Sequence, residues 1–231
     1  MKTIFETDSE FICDIQAPCF RNLSQEEMEI IREGKTQVLF RRGDNLTKQG
    51  AFTSYVLFLI KGLAKQYLEG DGTRSFNMRI IRPGDFLGLS AVFHENIFGY
   101  SASALTDCQA YLLEKETLAK VIKQNGHFGF GLIRRYCEQN NNLLAIIGSL
   151  NYKQMNGRLA EILLYMNDMK AESPEIFQLL SRKDLADFAG ISTESTVKLL
   201  KSFEKDGLIE LHDKDIILKN HETLVEISRR G

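Results

Sequence analysis

Few side chains in this 231-residue sequence could carry redox, metal or nucleophilic chemistry. The cysteines are Cys13, Cys19, Cys108 and Cys137, too few for a disulfide scaffold in a chain of this length. The histidines are His94, His127, His212 and His221. There is no Walker loop, no His-Glu-x-x-His pair and no Gly-x-Ser-x-Gly elbow. The sequence therefore predicts that the protein is not an enzyme and that its thiols stay reduced and have no chemical role.

Two opposite charges near the C-terminus have the chemistry needed to read base edges of duplex DNA. The Glu194 carboxylate can accept a hydrogen bond from cytosine N4, and the Lys198 ammonium can donate to guanine O6 or N7. One helical turn separates them, so they can address neighbouring base pairs. The alternative is that they form only a surface ion pair at i,i+4 spacing. The predicted outward face of this helix consists of Ser192 as its cap, Thr193, Glu194, Val197, Lys198 and Lys201.

The elements that must position this face form a predicted helix-turn-helix. Ser181 caps a first helix with Asp184 three residues later, and Gly190 ends that helix in a left-handed turn. The second helix would then lie in the major groove. Two strand-like segments, 208–211 and 216–219, predict a wing. Phosphate contacts, which position the protein without specifying sequence, are predicted for Arg182, Lys183, Lys201 and Lys205.

Overall charge does not favour nucleic-acid binding. The net charge is −2, and residues 152–231 hold 12 Lys and Arg against 14 Asp and Glu. Many DNA-binding domains are basic. The interpretation therefore depends on local clustering of positive charge around the second helix.

A helical pattern ahead of this segment predicts a dimer. Positions spaced alternately by three and four residues form a heptad seam, in which a polar Asn140 would fix the register of two parallel helices. The alternative is an amphipathic helix that packs on its own domain. The seam consists of Ile133, Tyr136, Asn140, Leu143, Ile147 and Leu150.

The residue pattern of the N-terminal half is typical of a β-barrel. Short strand candidates alternate with glycine-containing turns from about residue 20 to 117, and a helix capped by Ser24 with Glu27 precedes them. The predicted class is α+β, with a sensory β-barrel domain and N-terminal helix at 1–117, a dimerisation helix at 118–151 and a winged helix-turn-helix at 152–231. Neither a signal peptide nor a membrane-length apolar run is found, so we expect a cytoplasmic protein without membrane contact.

Over about residues 19–220 the sequence resembles the Crp/Fnr superfamily of bacterial transcription regulators. The motif Leu185-Ala-Asp-Phe-Ala-Gly-Ile-Ser-Thr-Glu-Ser-Thr-Val-Lys-Leu-Leu200 is the more specific part, and Arg82-Pro-Gly-Asp-Phe-Leu-Gly88 the less specific one. The resemblance implies a double-stranded β-helix, the jelly-roll barrel of cyclic-nucleotide-binding proteins. It also implies a homodimer on a two-fold-symmetric DNA site and, for an activator, contact with RNA polymerase.

Two positions depart from the family pattern in the recognition helix. The family usually has Arg where Lys198 stands, and Lys lacks the planar fork that binds guanine bidentately. It usually has Ile or Val where Thr196 stands, so looser helix packing is expected there.

The barrel departs more strongly. Cyclic-nucleotide-binding members carry a ribose-binding Glu and a phosphate-binding Arg where this chain has Gly88-Leu89-Ser90 and Tyr100-Ser101. A phosphate without its guanidinium loses a charge-assisted bidentate pair, so we expect that cyclic AMP is not the effector. The effector itself is unknown. Its candidate contacts are Phe86, Gly88, Leu89, Ser90, Tyr100 and Ser101.

Two cofactor alternatives follow from the resemblance. The spacing of Cys13 and Cys19, with Cys108 later, is similar to the iron–sulfur branch, but Glu10 stands where the first cysteine would be. Soft metals favour thiolate over carboxylate. A redox switch between Cys13 and Cys19 and a haem ligand at His94 or His127 are further alternatives.

The competing function is an effector-binding module without sequence-specific DNA binding. The predicted helix-turn-helix and wing argue against it.

Overall fold

The chain folds into two compact units. The computed structural model describes residues 1–5, 7–9, 11–12, 20–72, 74–94 and 96–231. The first unit comprises Met1–Glu69 and Arg79–Asn141, and the second comprises Gly70–Met78 and Asn142–Gly231. The domain limits predicted at residues 117 and 151 come from changes in the residue pattern along the sequence, and they stay a prediction.

The N-terminal half of the chain is built on two antiparallel sheets. One has the order β1-β2-β9-β4-β7 and the other the order β3-β8-β5-β6. The strands are β1 (Lys2–Ile4), β2 (Lys35–Phe40), β3 (Asn45–Thr47), β4 (Tyr55–Lys61), β5 (Ala64–Glu69), β6 (Ser75–Ile81), β7 (Phe86–Leu87), β8 (Ser101–Ala104) and β9 (Cys108–Glu114). This is the predicted α+β architecture with a jelly-roll barrel. The short strands β1, β3, β7 and β8 were not predicted.

Side chains along β4 alternate between two apolar layers of the core. Leu57 and Leu59 point into the barrel interior between the sheets, among Val38, Ile81 and Ala110. Val56 and Phe58 face the other side of the sheet, where the helices pack. Successive side chains of a strand point to opposite faces, so two apolar layers require an uninterrupted apolar run.

The helices of the N-terminal half cover the outer layer of this core. They are α1 (Gln25–Glu33), α2 (Ser90–Phe93), α3 (Lys115–Gln124) and α4 (Gly126–Tyr152). The predicted capping box of α1 is confirmed: the Ser24 hydroxyl accepts from the Glu27 amide at 3.2 Å, and the Ser24 amide donates to the Glu27 carboxylate at 2.7 Å. The region predicted as one helix is two, because Asn125 interrupts it and its side chain accepts from the Phe128 amide at 2.9 Å.

The second unit is mainly helical. Its elements are α5 (Met155–Met169), α6 (Ile176–Leu179), α7 (Arg182–Ala189), α8 (Thr193–Lys205), β10 (Ile209–His212), β11 (Asp215–Leu218) and α9 (His221–Arg230). Leu159, Leu163, Met166, Phe177 and Leu200 form its centre, each at most 1% exposed. In the described part of the chain, none of the helices combines the length and hydropathy that a bilayer crossing requires.

A short segment from the middle of the chain completes the second unit. Within residues 70–78, the Ser75 hydroxyl donates to the Asp187 carboxylate at 2.7 Å. The Asn77 side-chain amide donates to the backbone carbonyl of Asp184 at 3.1 Å, and Asn77 is only 1% exposed. Both acceptors belong to α7, so this segment helps to hold the first helix of the predicted helix-turn-helix.

Candidate nucleic-acid interface

Helix α7 begins and ends where the sequence predicts. The Ser181 hydroxyl accepts from the Asp184 amide at 3.1 Å, and the Asp184 carboxylate accepts from the Ser181 amide at 2.8 Å. Gly190 has φ +61°, the left-handed conformation that closes many helices. The Ile191 amide then donates to the Ala186 carbonyl at 3.1 Å. This turn sets the direction in which α8 leaves.

Replacing Gly190 by Ala tests the turn. A side chain at φ +61° is strained, and a Cβ there would lie 2.8 Å from the Leu150 Cδ2 atom. We expect the free energy of unfolding, measured by chemical denaturation, to fall by about 1–3 kcal/mol. Gly207→Ala is the control, since Gly207 has φ +72° but nothing within 4 Å of its added Cβ. An equal loss in both variants would show that close packing at Gly190 contributes nothing.

The start of α8 is fixed by two hydroxyl groups. The Ser192 side chain accepts from the Ser195 amide at 3.0 Å. Thr196 is fully buried, and its hydroxyl donates to the Ser192 carbonyl at 3.1 Å. Thr196 lies in the core with its polar atom satisfied, which removes the cost of burying a hydroxyl. The looser packing expected there stays a prediction.

One surface of α8 is open to solvent, and we call it the recognition face. The Glu194 carboxylate and the Lys198 ammonium form an ion pair at 2.7 Å, with side chains 77% and 74% exposed. An exposed i,i+4 ion pair stabilises a helix by only about 0.3–0.5 kcal/mol. Breaking the pair so that each side chain binds a base edge therefore costs little free energy. The pair therefore does not argue against a role in reading DNA. The other exposed members of the face are Ser192, Thr193, Val197 and Lys201.

The predicted phosphate-binding residues fall into two groups. Lys183, Lys201 and Lys205 have exposed side chains on α7 and α8, and Lys183 pairs with Asp187 at 2.7 Å. Arg182 is half-buried instead, and its guanidinium donates to the backbone carbonyl of Asp213 at 3.0 Å. Burial lowers the pKa of Arg182.

The wing is a two-stranded hairpin tied to the helices. Strands β10 and β11 pair antiparallel, with His212 opposite Asp215. The Lys170 ammonium binds the Asp215 carboxylate at 3.1 Å, and the Glu204 carboxylate accepts from the Leu211 amide at 3.1 Å. Lys214 lies exposed in the turn between the strands. Sequence reasoning predicted the wing but did not include Lys214 among the DNA contacts, although it is a basic residue in a two-residue turn.

Helix α4 carries an exposed apolar stripe. All six seam residues are exposed, including Ile133 at 58% and Ile147 at 54%. Phe130 and Leu144, which the heptad analysis missed, widen the stripe at 62% and 59% exposed. The seam is therefore not buried within this chain, against the alternative that it packs on its own domain. A contiguous exposed apolar surface of this kind marks an interaction site.

Comparison with known families decides the identity of the chain. The family described as cyclic nucleotide-binding domain matches residues 37–125, and the family described as Crp-like helix-turn-helix domain matches residues 157–227. The chain belongs to the Crp/Fnr superfamily of bacterial transcription regulators. The two matches fall on the barrel and on the helix-turn-helix with its wing.

Relatives of this Crp/Fnr protein match along nearly the whole chain. A CRP-like cAMP-activated global transcriptional regulator of Mycobacterium tuberculosis is 22% identical over 222 residues, covering 93% of this chain and 97% of the relative. The structure of FixK2 from Bradyrhizobium japonicum has a TM-score of 0.73 at 22% identity, covering 84% and 96%. A crp/fnr family regulator from Eubacterium rectale has a TM-score of 0.74 at 15% identity, covering 92% and 98%. At these identities the two structures show the shared fold.

Two of the candidate effector contacts in the barrel of this Crp/Fnr protein bond to each other. The Tyr100 hydroxyl accepts from the Gly88 amide at 3.0 Å, and burial raises the pKa of that phenol. Gly88 has φ +76°, and Phe98 lies 2.6 Å from where its Cβ would be. A backbone amide that could hold an anion is thus already occupied.

A carboxylate lies beside the second predicted contact. Ser101 is fully buried; its hydroxyl accepts from the Gln49 amide at 2.9 Å and donates to Glu69. Glu69 also pairs with the Lys48 ammonium at 2.6 Å, and the Lys48 and Ser101 hydrogen bonds lower its pKa. The negative charge of Glu69 is matched by that of Lys48, so this ion pair offers a phosphate no net positive charge. These residues do not fit a cyclic nucleotide.

The other candidate effector contacts lie apart from this pair. Phe86 belongs to the aromatic cluster outside the barrel interior, 4.8 Å from the Phe58 ring and 6.0 Å from the Phe20 ring by centroids. Leu89 packs against the same outer cluster, and Ser90 is exposed at the start of α2. The structure therefore brings together only Gly88, Tyr100 and the neighbouring Ser101.

We expect cyclic AMP to give no saturable heat in isothermal titration with this protein. The physical reason is the missing guanidinium together with the Glu69 carboxylate on Ser101. Saturable binding at micromolar concentration would contradict this expectation.

The residues proposed for metal or haem chemistry are only partly described. Glu10, Cys13 and Cys19 lie outside the described residues. The Cys108 thiol lies in the barrel core and donates to the Leu63 carbonyl at 3.2 Å; burial raises its pKa to about 11. A thiol held protonated is a poor metal ligand. His94 and His127 are exposed.

Proposed function

We propose that this Crp/Fnr protein is a homodimeric transcription regulator that binds an inverted-repeat operator. The observation that carries the proposal is the recognition face of α8, which presents a solvated Glu194–Lys198 pair one turn from a doubly fixed helix start. Each subunit would place α8 in a major groove, and Glu194 and Lys198 would contact base edges. Thr193 and Val197 would border these contacts.

The proposed phosphate contacts are made by positively charged side chains, although the chain as a whole has no net positive charge. Lys183, Lys201 and Lys205 are exposed on the two helices of the helix-turn-helix. Local clustering of this kind suits a protein of net charge −2, because only the contacted surface has to be positive.

The exposed stripe on α4 supports the homodimer. Two copies of the seam would pack in parallel, with Leu143 and Ile147 buried against their partners and Asn140 facing its counterpart. The two-fold axis of such a dimer repeats the recognition face about 34 Å away on the duplex. An inverted repeat follows from that symmetry.

Control by a signal in the barrel completes the proposal. The relative from Mycobacterium tuberculosis is named as cAMP-activated. For this chain we propose an effector of different chemistry. Its binding would shift the populations of two dimer arrangements through Tyr136, Asn140, Leu143 and Ile147. We place the protein in the cytoplasm, and an activating role would require contact with RNA polymerase.

Selection of bound duplexes from a random pool tests the proposed function. We expect an inverted repeat whose half-sites are one helical turn apart. The slope of log affinity against log salt concentration then counts the phosphates that are touched. A protein that stays monomeric and ignores every duplex at low ionic strength would instead leave the chain as an effector-binding module without sequence-specific DNA binding.

A further inference from the structure

The turn of the wing adopts a conformation that its residue does not favour. Asp213 has φ +50° and is the one non-glycine residue with positive φ in the described ranges. Asp tolerates this region better than most residues, but still at a cost relative to glycine. A residue kept in such a conformation needs neighbours that fix it.

Arg182 contacts this residue. Its guanidinium donates to the Asp213 carbonyl at 3.0 Å, from the first position of α7. The other ties of the wing lie on its strands: Glu204 binds the Leu211 amide, and Lys170 binds the Asp215 carboxylate and the Ile216 carbonyl. Among these ties, only the one from Arg182 reaches a residue at the centre of the turn.

We infer that Arg182 is a positioning residue for DNA binding, which holds the wing turn so that Lys214 reaches a phosphate. Lys214 is exposed and follows Asp213 directly, so fixing the Asp213 carbonyl also restricts the backbone that carries Lys214. The inference rests on the proposed function. It differs from the sequence prediction, in which Arg182 touches a phosphate itself.

A double-mutant cycle distinguishes the two roles. Each independent phosphate contact contributes about 0.9 to the slope of log affinity against log salt concentration. If Arg182 acts through Lys214, then R182M and K214A each lower the slope by about 1.8, because the homodimer loses one phosphate contact in each subunit. The double variant then also lowers the slope by about 1.8 from the wild-type value. R182M keeps the apolar stem of the side chain and removes only the donor.

The measurement uses the full-length protein and a random-sequence duplex, with affinity followed by fluorescence anisotropy over a range of salt. A slope in the double variant lowered by about 3.6 would mean two independent contacts in each subunit and would overturn the inference. An unchanged slope in R182M or in K214A would also overturn it. Failure of the wild-type protein to bind any duplex would instead contradict the proposed function, so the two failures are distinguishable.

Hydrogen exchange of the free protein gives a second readout that does not depend on DNA. We expect faster exchange of the wing amides around 212–216 in R182M and wild-type rates in K214A, because only the former removes the bond to the turn. Unchanged wing exchange in R182M would show that Arg182 does not fix the turn.

Discussion

The Leu143→Asp variant is expected to be a monomer in sedimentation and to lose DNA affinity by at least about 100-fold. Leu143 lies in the seam and is 42% exposed in the single chain. In a parallel dimer each copy would bury a carboxylate opposite another carboxylate, and both desolvation and repulsion oppose that. A monomer offers one recognition face where the operator needs two. The milder Leu143→Ala should weaken dimerisation and DNA binding together.

Ala145→Asp is the matched control for this experiment. Ala145 is exposed on the same helix, two residues from Leu143 and outside the stripe, so it introduces the same charge on another face. We expect the control to remain dimeric and to bind the operator as wild type does. An unchanged dimer in Leu143→Asp would mean that the seam is misassigned.

The Lys198→Ala variant is expected to lose affinity for the selected operator and to relax base preference at one position of each half-site. A good base contact discriminates by about 1–3 kcal/mol. Taking about 1 kcal/mol for a lysine, which lacks the guanidinium fork, the two half-sites together lose about 2 kcal/mol. Competition binding with single-base operator variants measures both effects.

Lys205→Ala provides the comparison for Lys198→Ala. Lys205 is exposed at the C-terminal end of α8, where a phosphate contact is proposed. Its loss should weaken binding to all sequences equally and lower the salt slope by about 2, one contact in each subunit of the dimer. If Lys198→Ala behaves in the same uniform way, Lys198 contacts the backbone and does not read bases.

The sequence predicted the DNA-binding half well because its signals are local. Capping at Ser181, the left-handed turn at Gly190 and the cap at Ser192 are each determined by a few neighbouring residues, and the structure has all three. Local rules work where hydrogen bonds close over three or four residues.

The remaining features depend on long-range contacts that no local pattern encodes. The bond from Arg182 to Asp213 joins residues 31 apart in sequence, and the Ser101–Glu69 hydrogen bond joins residues 32 apart. Phe86 sits in a motif associated with ligand binding, yet it lies in the aromatic cluster on the outer side of the sheet. A two-residue strand gives too short an alternation to assign its faces.

The segment 70–78 has a consequence for how this protein can be divided. Because Ser75 and Asn77 bond to α7, a fragment that starts at residue 142 would lack both donors and would leave the Asp184 carbonyl without its Asn77 partner. Cutting the winged helix-turn-helix from the rest of the chain therefore removes two hydrogen bonds to α7. A chimaera that exchanges the winged helix-turn-helix with that of a relative should also exchange segment 70–78. Otherwise the grafted α7 will lack the hydrogen bonds that this segment donates in the native chain.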